Sequence, residues 1–363
     1  MTPAQAARIT EAYDLRLSST DPAAGMGILN FGYPSKDDRS HASIGVNLVT
    51  AELSAPPSKP PTPPKAEPMP SFGSPNTLRS PSGNFVLEYT KPPGRVILRN
   101  AKGEKLGVVS ETEVQGLTGI VWSPSDEYFT FIGVVRGSAE PKSGLYVYSV
   151  KQRKHQLVAR GVRTVPQWSD DGRLLACLRT ETEASKDLPD SVQRSRGTVM
   201  VFDAGSGFKR VLAVGELAGK FALSPIGARV VFTELVKDEY GDFDSFVLRT
   251  ADVRTGSVHD LLTNRREPVY AWAGDDALAV TTFDKYAVPA LSLVGAAGGR
   301  PIQLLTARDF ARFKPLAYLP MQRRVVYKAS ASVRDYDSPE ELWAVEPGRG
   351  PVRLFPKNVR SRP

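Results

Sequence analysis

From residue 76 onward, the chain alternates short apolar runs with turn-forming residues in a pattern that recurs six times. Each copy predicts a strand, a tight turn, a second strand, a third strand after a gap, a Gly-containing or charged turn, and a fourth strand. The first turns align at Ser80, Ser123, Ser169, Ser224, Ala273 and Pro320, with spacings of 43, 46, 55, 49 and 47 residues. A period of this length is typical of one four-stranded propeller blade.

The residues of the first turn explain why the chain reverses there. The clearest copies read Trp122-Ser123-Pro124-Ser125-Asp126, Trp168-Ser169-Asp170-Asp171-Gly172 and Leu223-Ser224-Pro225-Ile226-Gly227. Proline fixes φ at about −65°, and glycine permits the positive φ that tight turns require. A four-stranded meander has two apolar faces, and radial packing buries each face against a neighbouring sheet. We therefore expect Trp122, Trp168 and Trp272 to pack between adjacent blades.

A tryptophan followed by Ser-Pro-x-Gly or Ser-Asp-Asp-Gly-Arg, and then by a short apolar strand, resembles the TolB-type propeller repeat. The same repeat is similar to the N-terminal propellers of prolyl-oligopeptidase-like peptidases. The resemblance covers about residues 76–356 and implies an all-β, six-bladed propeller of four-stranded antiparallel blades. The motif is structural in that family, so it implies little about function. A peptidase would also need the Gly-x-Ser-x-Gly elbow of an α/β-hydrolase domain, and this pentapeptide is absent from the sequence.

The residues before the repeats predict an N-terminal arm over 1–53. Residues 3–17 favour a short amphipathic helix, because Thr2 can cap it and the stripe of apolar residues has helical spacing. Residues 43–51 alternate well enough for one strand. A degenerate seventh blade built from this arm is the alternative to a ring of six.

A proline-rich linker follows over residues 54–75, with nine prolines in 22 positions. Proline fixes φ and removes a hydrogen-bond donor, so this stretch is expected to be extended. The PxxP spacing around Pro61 and Pro64 allows docking into an aromatic-lined groove, but a stiff spacer is the favoured interpretation. The β-propeller is then predicted over 76–356 and a basic tail over 357–363.

The net charge is +8, and the first 70 residues contribute none of this excess, since they hold 6 Lys and Arg against 7 Asp and Glu. A basic bias of this size suits an acidic surface as partner. No dense basic run with interleaved aromatic residues occurs, so no specific binding of nucleic acid is expected. The single cysteine, Cys177, excludes a disulfide framework and a cysteine-based zinc cluster. We therefore predict no cofactor.

Two groups of polar residues are candidates for binding. Asp238, Asp242 and Asp244 surround a glycine and offer oxygen ligands for calcium, although an exposed acidic hairpin is favoured because the spacing does not match an EF-hand. The starts of the inner strands are expected to place four charged residues at the mouth of the ring, where they would form a cationic funnel for an acidic peptide or ligand. These residues are Arg163, Lys220, Glu267 and Lys314. Solvated loop charge is the favoured alternative.

The absence of a catalytic constellation predicts a non-enzymatic propeller scaffold that mediates protein–protein interaction within a larger assembly. Its partners would be other protein subunits, bound through the N-terminal arm and one propeller face. The alternative is an enzyme or ligand-binding protein that acts at the propeller channel with a bound divalent ion. The N-terminus lacks a basic region followed by an apolar one, which predicts a cytoplasmic protein, or a periplasmic one if the numbering begins after processing.

Overall fold

The computed structural model describes seventeen stretches of the chain, and all structural statements refer to them. They are 14–21, 26–32, 41–47, 52–54, 76–89, 96–110, 113–114, 120–134, 144–162, 164–183, 194–237, 243–284, 286, 288–306, 312–319, 323–330 and 341–354. The regular structure in these stretches is entirely β-strand.

An N-terminal sheet comes first. Its strands are β1 Asp14–Asp21, β2 Met26–Gly32, β3 His41–Asn47 and β4 Glu52–Ser54. They pair in sequence order, each antiparallel to the next. The expectation of a single strand in this region is therefore wrong. Of the helix expected over 3–17, residues 14–17 belong to β1 and the others lie outside the described residues. Pairing with β2 over the whole of β1 outweighs local helix propensity.

Six further sheets follow, named blades 1 to 6 in chain order. Blade 1 contains β5 Asn76–Arg79, β6 Phe85–Tyr89, β7 Val96–Asn100 and β8 Lys105–Ser110. Blade 2 contains β10 Val121–Trp122, β11 Tyr128–Val134, β12 Gly144–Ser149 and β13 Lys154–Arg160, with β9 Glu113–Val114 paired to β11. Blade 3 contains β14 Gln167–Trp168, β15 Leu174–Glu183, β16 Arg194–Asp203 and β17 Lys209–Gly215.

Blade 4 contains β18 Leu217–Leu223, β19 Arg229–Lys237, β20 Phe243–Asp252 and β21 Val258–Asn264. Blade 5 contains β22 Val269–Trp272, β23 Ala277–Phe283, β24 Pro289–Gly295 and β25 Ile302–Thr306. Blade 6 contains β26 Arg312–Leu319, β27 Arg324–Ser330, β28 Glu341–Val345 and β29 Val352–Arg353. Each blade is an antiparallel meander in sequence order, which confirms the predicted propeller architecture of the repeats.

The chain divides into two compact units. One comprises Met1–Glu67 and Thr263–Pro363, and thus holds the N-terminal sheet with blades 5 and 6. The other, Pro68–Leu262, holds blades 1 to 4 apart from the end of β21. The boundaries expected from the sequence, with an arm over 1–53, a linker over 54–75 and a propeller over 76–356, stay predictions.

The buried residues lie between neighbouring blades. In β15, Leu175 and Cys177 belong to the apolar cluster shared with blade 2. The residues between and after them, Ala176 and Leu178, belong to the cluster shared with blade 4. Successive side chains of a strand point to opposite faces, so both faces of blade 3 are covered. For blade 3, this confirms the expectation that a blade is apolar on both sides.

Side chains join the inner strand of blade 3 to the blades on either side. The indole of Trp168 stacks on Tyr128 of blade 2 at 6.1 Å between ring centroids, and its Nε1 donates to Val121 O at 3.3 Å. Toward blade 4, Gln167 Nε2 donates to Phe221 O at 3.0 Å, and Gln167 Oε1 accepts from Leu223 N at 3.0 Å. The expected packing of Trp168 between blades is confirmed, and Gln167 adds a polar link on the other side.

Candidate functional site

A cavity of about 440 Å3 opens between the turns of blades 3 and 4, within the unit Pro68–Leu262. We call it the inter-blade groove. Its lining consists of Asp171, Arg173, Leu174, Val201, Asp203, Phe208 and Arg210 from blade 3, and of Ile226, Val253 and Arg254 from blade 4. A volume of this size is typical of protein binding sites. In each meander, the turn between the first two strands and the turn between the last two strands lie at the same end of the blade. Two turns of blade 3 and two turns of blade 4 therefore meet at the groove.

Two large apolar side chains at the groove remain accessible. Phe208, just before β17, is 58% exposed, and Ile226, in the turn between β18 and β19, is 65% exposed. Ile226 occupies the variable position of the Ser-Pro-x-Gly turn, where blades 1 and 2 have serine and blade 3 has aspartate. Ile226 is thus an apolar residue at a turn position that is polar in blades 1 to 3.

Arg210 forms the link between the two blades at the groove. Its Nη1 donates to Val253 O at 3.2 Å and also to Arg254 O, both in the turn between β20 and β21. The guanidinium lies over the ring of Phe208, 5.7 Å from its centroid. Phe208 and Ile226 form what we call the apolar rim of the groove. Arg210 therefore keeps a positive charge beside this rim and fixes the spacing of blades 3 and 4 at the groove.

The carboxylates of the groove are engaged within blade 3. Asp203 Oδ2 accepts from Arg173 Nη2 at 2.9 Å, and Asp203 Oδ1 accepts from Gly205 N at 2.9 Å and Ser206 N at 3.0 Å. Burial alone would raise the pKa of Asp203, but the backbone N–H of Ser206 and the guanidinium of Arg173 outweigh it and hold this pKa below its usual value.

Asp171 has a comparable local role. Its Oδ1 accepts from Ser169 Oγ and from Arg173 N, the latter at 3.0 Å, so it stabilises its own turn. On the blade 4 side, Asp252 Oδ1 accepts from Thr255 N at 2.7 Å and from Thr255 Oγ1 at 2.9 Å. The neighbouring Arg254 is exposed. The groove thus combines the exposed apolar side chains of Phe208 and Ile226 with the charges of Arg173, Arg210 and Arg254, while its carboxylates accept hydrogen bonds within their own blades.

The only thiol of the chain, that of Cys177, is excluded as a nucleophile. Cys177 is fully buried in β15, and burial raises its pKa to about 12, against a smaller opposite effect of Lys209. A thiol of this kind is not a nucleophile at neutral pH. Among the described residues, no three His, Cys, Asp or Glu side chains form a group that could hold a metal ion. Nor do these residues include a helix long and apolar enough to cross a membrane.

The residues singled out from the sequence lie elsewhere. Asp244 is exposed in β20, while Asp238 and Asp242 lie outside the described residues, so the calcium loop stays untested. For the cationic funnel, Lys220 is exposed in β18, Lys314 is exposed in β26 and Glu267 is partly buried. Lys220 belongs to a different compact unit from Glu267 and Lys314, and the cationic funnel stays a prediction. Arg163, Pro61 and Pro64 are outside the described stretches, and their roles stay predictions.

The sequence matches no protein-family model and no curated protein. The structure is similar to the β-propeller domain of the Trilobed protease from Pyrococcus furiosus, with a TM-score of 0.50 and 12% identity over 97% of this chain and 99% of that one. It is also similar to a Mycobacterium tuberculosis puromycin-hydrolyzing peptidase, with a TM-score of 0.50 and 13% identity. That match covers 99% of this chain but 56% of the peptidase, so the chain spans about half of its length.

TolB from Acinetobacter baumannii matches with a TM-score of 0.34 and 14% identity over 78% of this chain and 60% of that one. Identities this low bear on the fold alone. The near end-to-end match to an isolated propeller domain confirms that the chain has a propeller fold of the kind that the repeats resemble.

Proposed function

We propose that this propeller is a non-enzymatic interaction scaffold, which binds a protein partner within a larger assembly at the face that carries the inter-blade groove. The observation that supports this most directly is the exposure of Phe208 and Ile226 on two turns beside one cavity. Aromatic and arginine side chains are enriched at the centres of protein interfaces, and Phe208 and Arg210 supply both. The rigid blades beneath hold these turns in place without help from a partner.

The two blades can present a fixed surface because they are joined in several places. Gln167 and Arg210 bridge blades 3 and 4, and the amide of Asp170 donates to Pro225 O at 2.7 Å. A surface that is already ordered loses little conformational entropy on binding. We expect the groove to keep its shape in the free and the bound protein.

Site-specific photo-crosslinking in cells tests the proposal with the full chain. A photoreactive phenylalanine analogue replaces Phe208 in one strain and Tyr286, which is 75% exposed on blade 5, in the control strain. We expect a protein product from position 208 that is absent at position 286 and is lost when Ile226→Asp is added. Identical products at both positions, or none at 208, would contradict the proposal. The cytoplasmic location stays a prediction, which fractionation of the same cells tests.

A further inference from the structure

We infer that the inter-blade groove takes an acidic peptide segment of the partner, with one apolar side chain seated between Phe208 and Ile226. This inference rests on the proposed function and deepens it by naming the chemistry of the ligand. It depends on the charges and the apolar rim that the same ten lining residues provide.

The residues that line the groove carry one more positive than negative formal charge. Three arginines and two aspartates line it, and the pairing of Arg173 with Asp203 neutralises one of each. Asp171 accepts two hydrogen bonds inside its own turn. Arg210 donates to neutral main-chain oxygens, so its charge is not neutralised by them. Arg254 is exposed beside it, with the carboxylate of Asp252 nearby in its own turn, and the net charge of the whole chain is +8. A negatively charged segment is therefore the complementary ligand.

The apolar rim distinguishes a peptide from other anions. Phe208 and Ile226 come from different blades and flank the cavity, so an aliphatic or aromatic side chain between them would be covered on two sides. A side chain removed from water in this way contributes most of the binding free energy, while the charges set orientation and association rate. The ligand should therefore combine one apolar residue with neighbouring aspartate or glutamate.

The position of the aspartates disfavours nucleic acid at this groove. Asp171 and Asp203 line the blade 3 side, and the lowered pKa of Asp203 keeps it charged at neutral pH. A phosphate backbone carries a charge at every nucleotide and would meet the carboxylate of Asp171 as well as the arginines. A peptide can place its acidic residues beside Arg210 and Arg254 and its neutral main chain beside Asp171 and Asp203.

The test selects short random peptides on phage against the immobilised full chain and then measures the enriched peptides by fluorescence anisotropy. We expect acidic sequences with one large apolar residue. Arg254→Glu should weaken their binding about tenfold or more, and Ile226→Asp about as much. Arg265→Glu, an exposed arginine on the loop before blade 5, makes the same change of net charge and should alter affinity less than about twofold. Binding should also weaken as NaCl rises from about 0.05 M to about 0.5 M.

A selection repeated on the Arg254→Glu variant should lose the acidic preference. If folding of that variant is impaired, Arg254→Gln removes the charge without reversing it. Neutral or basic consensus peptides, equal effects of Arg254→Glu and Arg265→Glu, or displacement of the peptides by a single-stranded oligothymidylate would overturn the inference. If these peptides fail but the crosslink at position 208 is specific, the scaffold function stands and the ligand class is wrong. If both fail, the proposed function is wrong as well.

Discussion

The carboxylate of Asp126 accepts a hydrogen bond from Ser80 Oγ at 2.9 Å, and this bond joins the first turn of blade 2 to the first turn of blade 1. The same carboxylate accepts from the backbone N–H of Ser82 at 3.3 Å and from its hydroxyl. Asp126 has a φ of 61°, at the turn position where blades 1 and 3 have glycine. A side chain that bonds to the neighbouring blade therefore compensates for a backbone conformation that disfavours non-glycine residues.

Asp126→Ala should lower the free energy of unfolding by about 2 kcal/mol, because the hydrogen bonds to a buried charged group are lost. Asp126→Gly removes the same bonds but relieves the backbone, so its loss should be smaller by about 1 kcal/mol. Urea unfolding of both variants measures the difference. The double variant with Ser80→Ala serves as control, and strictly additive effects would show that Asp126 and Ser80 are not coupled.

Gly172 should be far less tolerant of substitution than Gly83, although both occupy the same turn position and have φ values of 70° and 76°. A Cβ at Gly172 would lie 3.0 Å from Ser125 N and 2.6 Å from Ser125 Oγ, whereas nothing lies within 4 Å of a Cβ at Gly83. Gly83→Ala should cost about 1 kcal/mol for its backbone alone. Gly172→Ala should cost about 1–3 kcal/mol more, because blade 2 must move. Equal losses on urea unfolding would contradict this packing.

Cys177 should not react with a maleimide reagent while the protein is folded. The thiol is fully buried, and its pKa of about 12 leaves almost no thiolate at neutral pH. Labelling measured by mass spectrometry should proceed only at the rate of unfolding and become fast in urea. Labelling of the folded protein at the rate of a free thiol would show that the interface between blades 2 and 3 opens without global unfolding.

The stabilising effect of Asp203 should disappear in acid. The pKa of its carboxyl is lowered in the folded state, so its contribution is present above the unfolded value of about pH 4 and is lost as the pH falls through the folded value. Asp203→Asn should therefore melt below the unsubstituted protein at neutral pH. The difference in Tm should shrink as the pH is lowered from about 6 toward 3. A difference that stays constant over this range would assign the effect to packing.

The sequence predicts those turns and strands that are determined by residues close to one another in the chain. The turns at Ser80, Ser123, Ser169 and Ser224 could be placed because proline, glycine and serine act within a few residues, and the spacing of the turns then gives the blades. In the N-terminal sheet, the alternation of Leu15 and Leu17 fits β1, but the helical spacing of the apolar residues over 3–17 favours a helix. Only pairing with β2 decides between these two states.

The inter-blade groove could not be located in the same way. Phe208, Ile226 and Arg254 belong to three different turns, and only the stacking of blade 4 on blade 3 brings them to one cavity. One signal was available, namely the isoleucine at the tip of a turn whose other copies carry polar residues. Lys220 and Lys314 are predicted at the ring mouth from their position in the repeat, and this position indicates a strand but not its neighbours in space.

The two hydrogen bonds of Gln167 affect which insertions, deletions and substitutions the chain can accept during evolution. The side-chain amide of Gln167 donates one hydrogen bond and accepts another, as a main-chain peptide unit of a paired strand does. The attachment of blade 4 to the inner strand of blade 3 therefore does not require the two strands to run alongside each other for any length. Loops at the rims can lengthen or shorten without disturbing these two hydrogen bonds, while one nucleotide substitution in the Gln167 codon is enough to remove them.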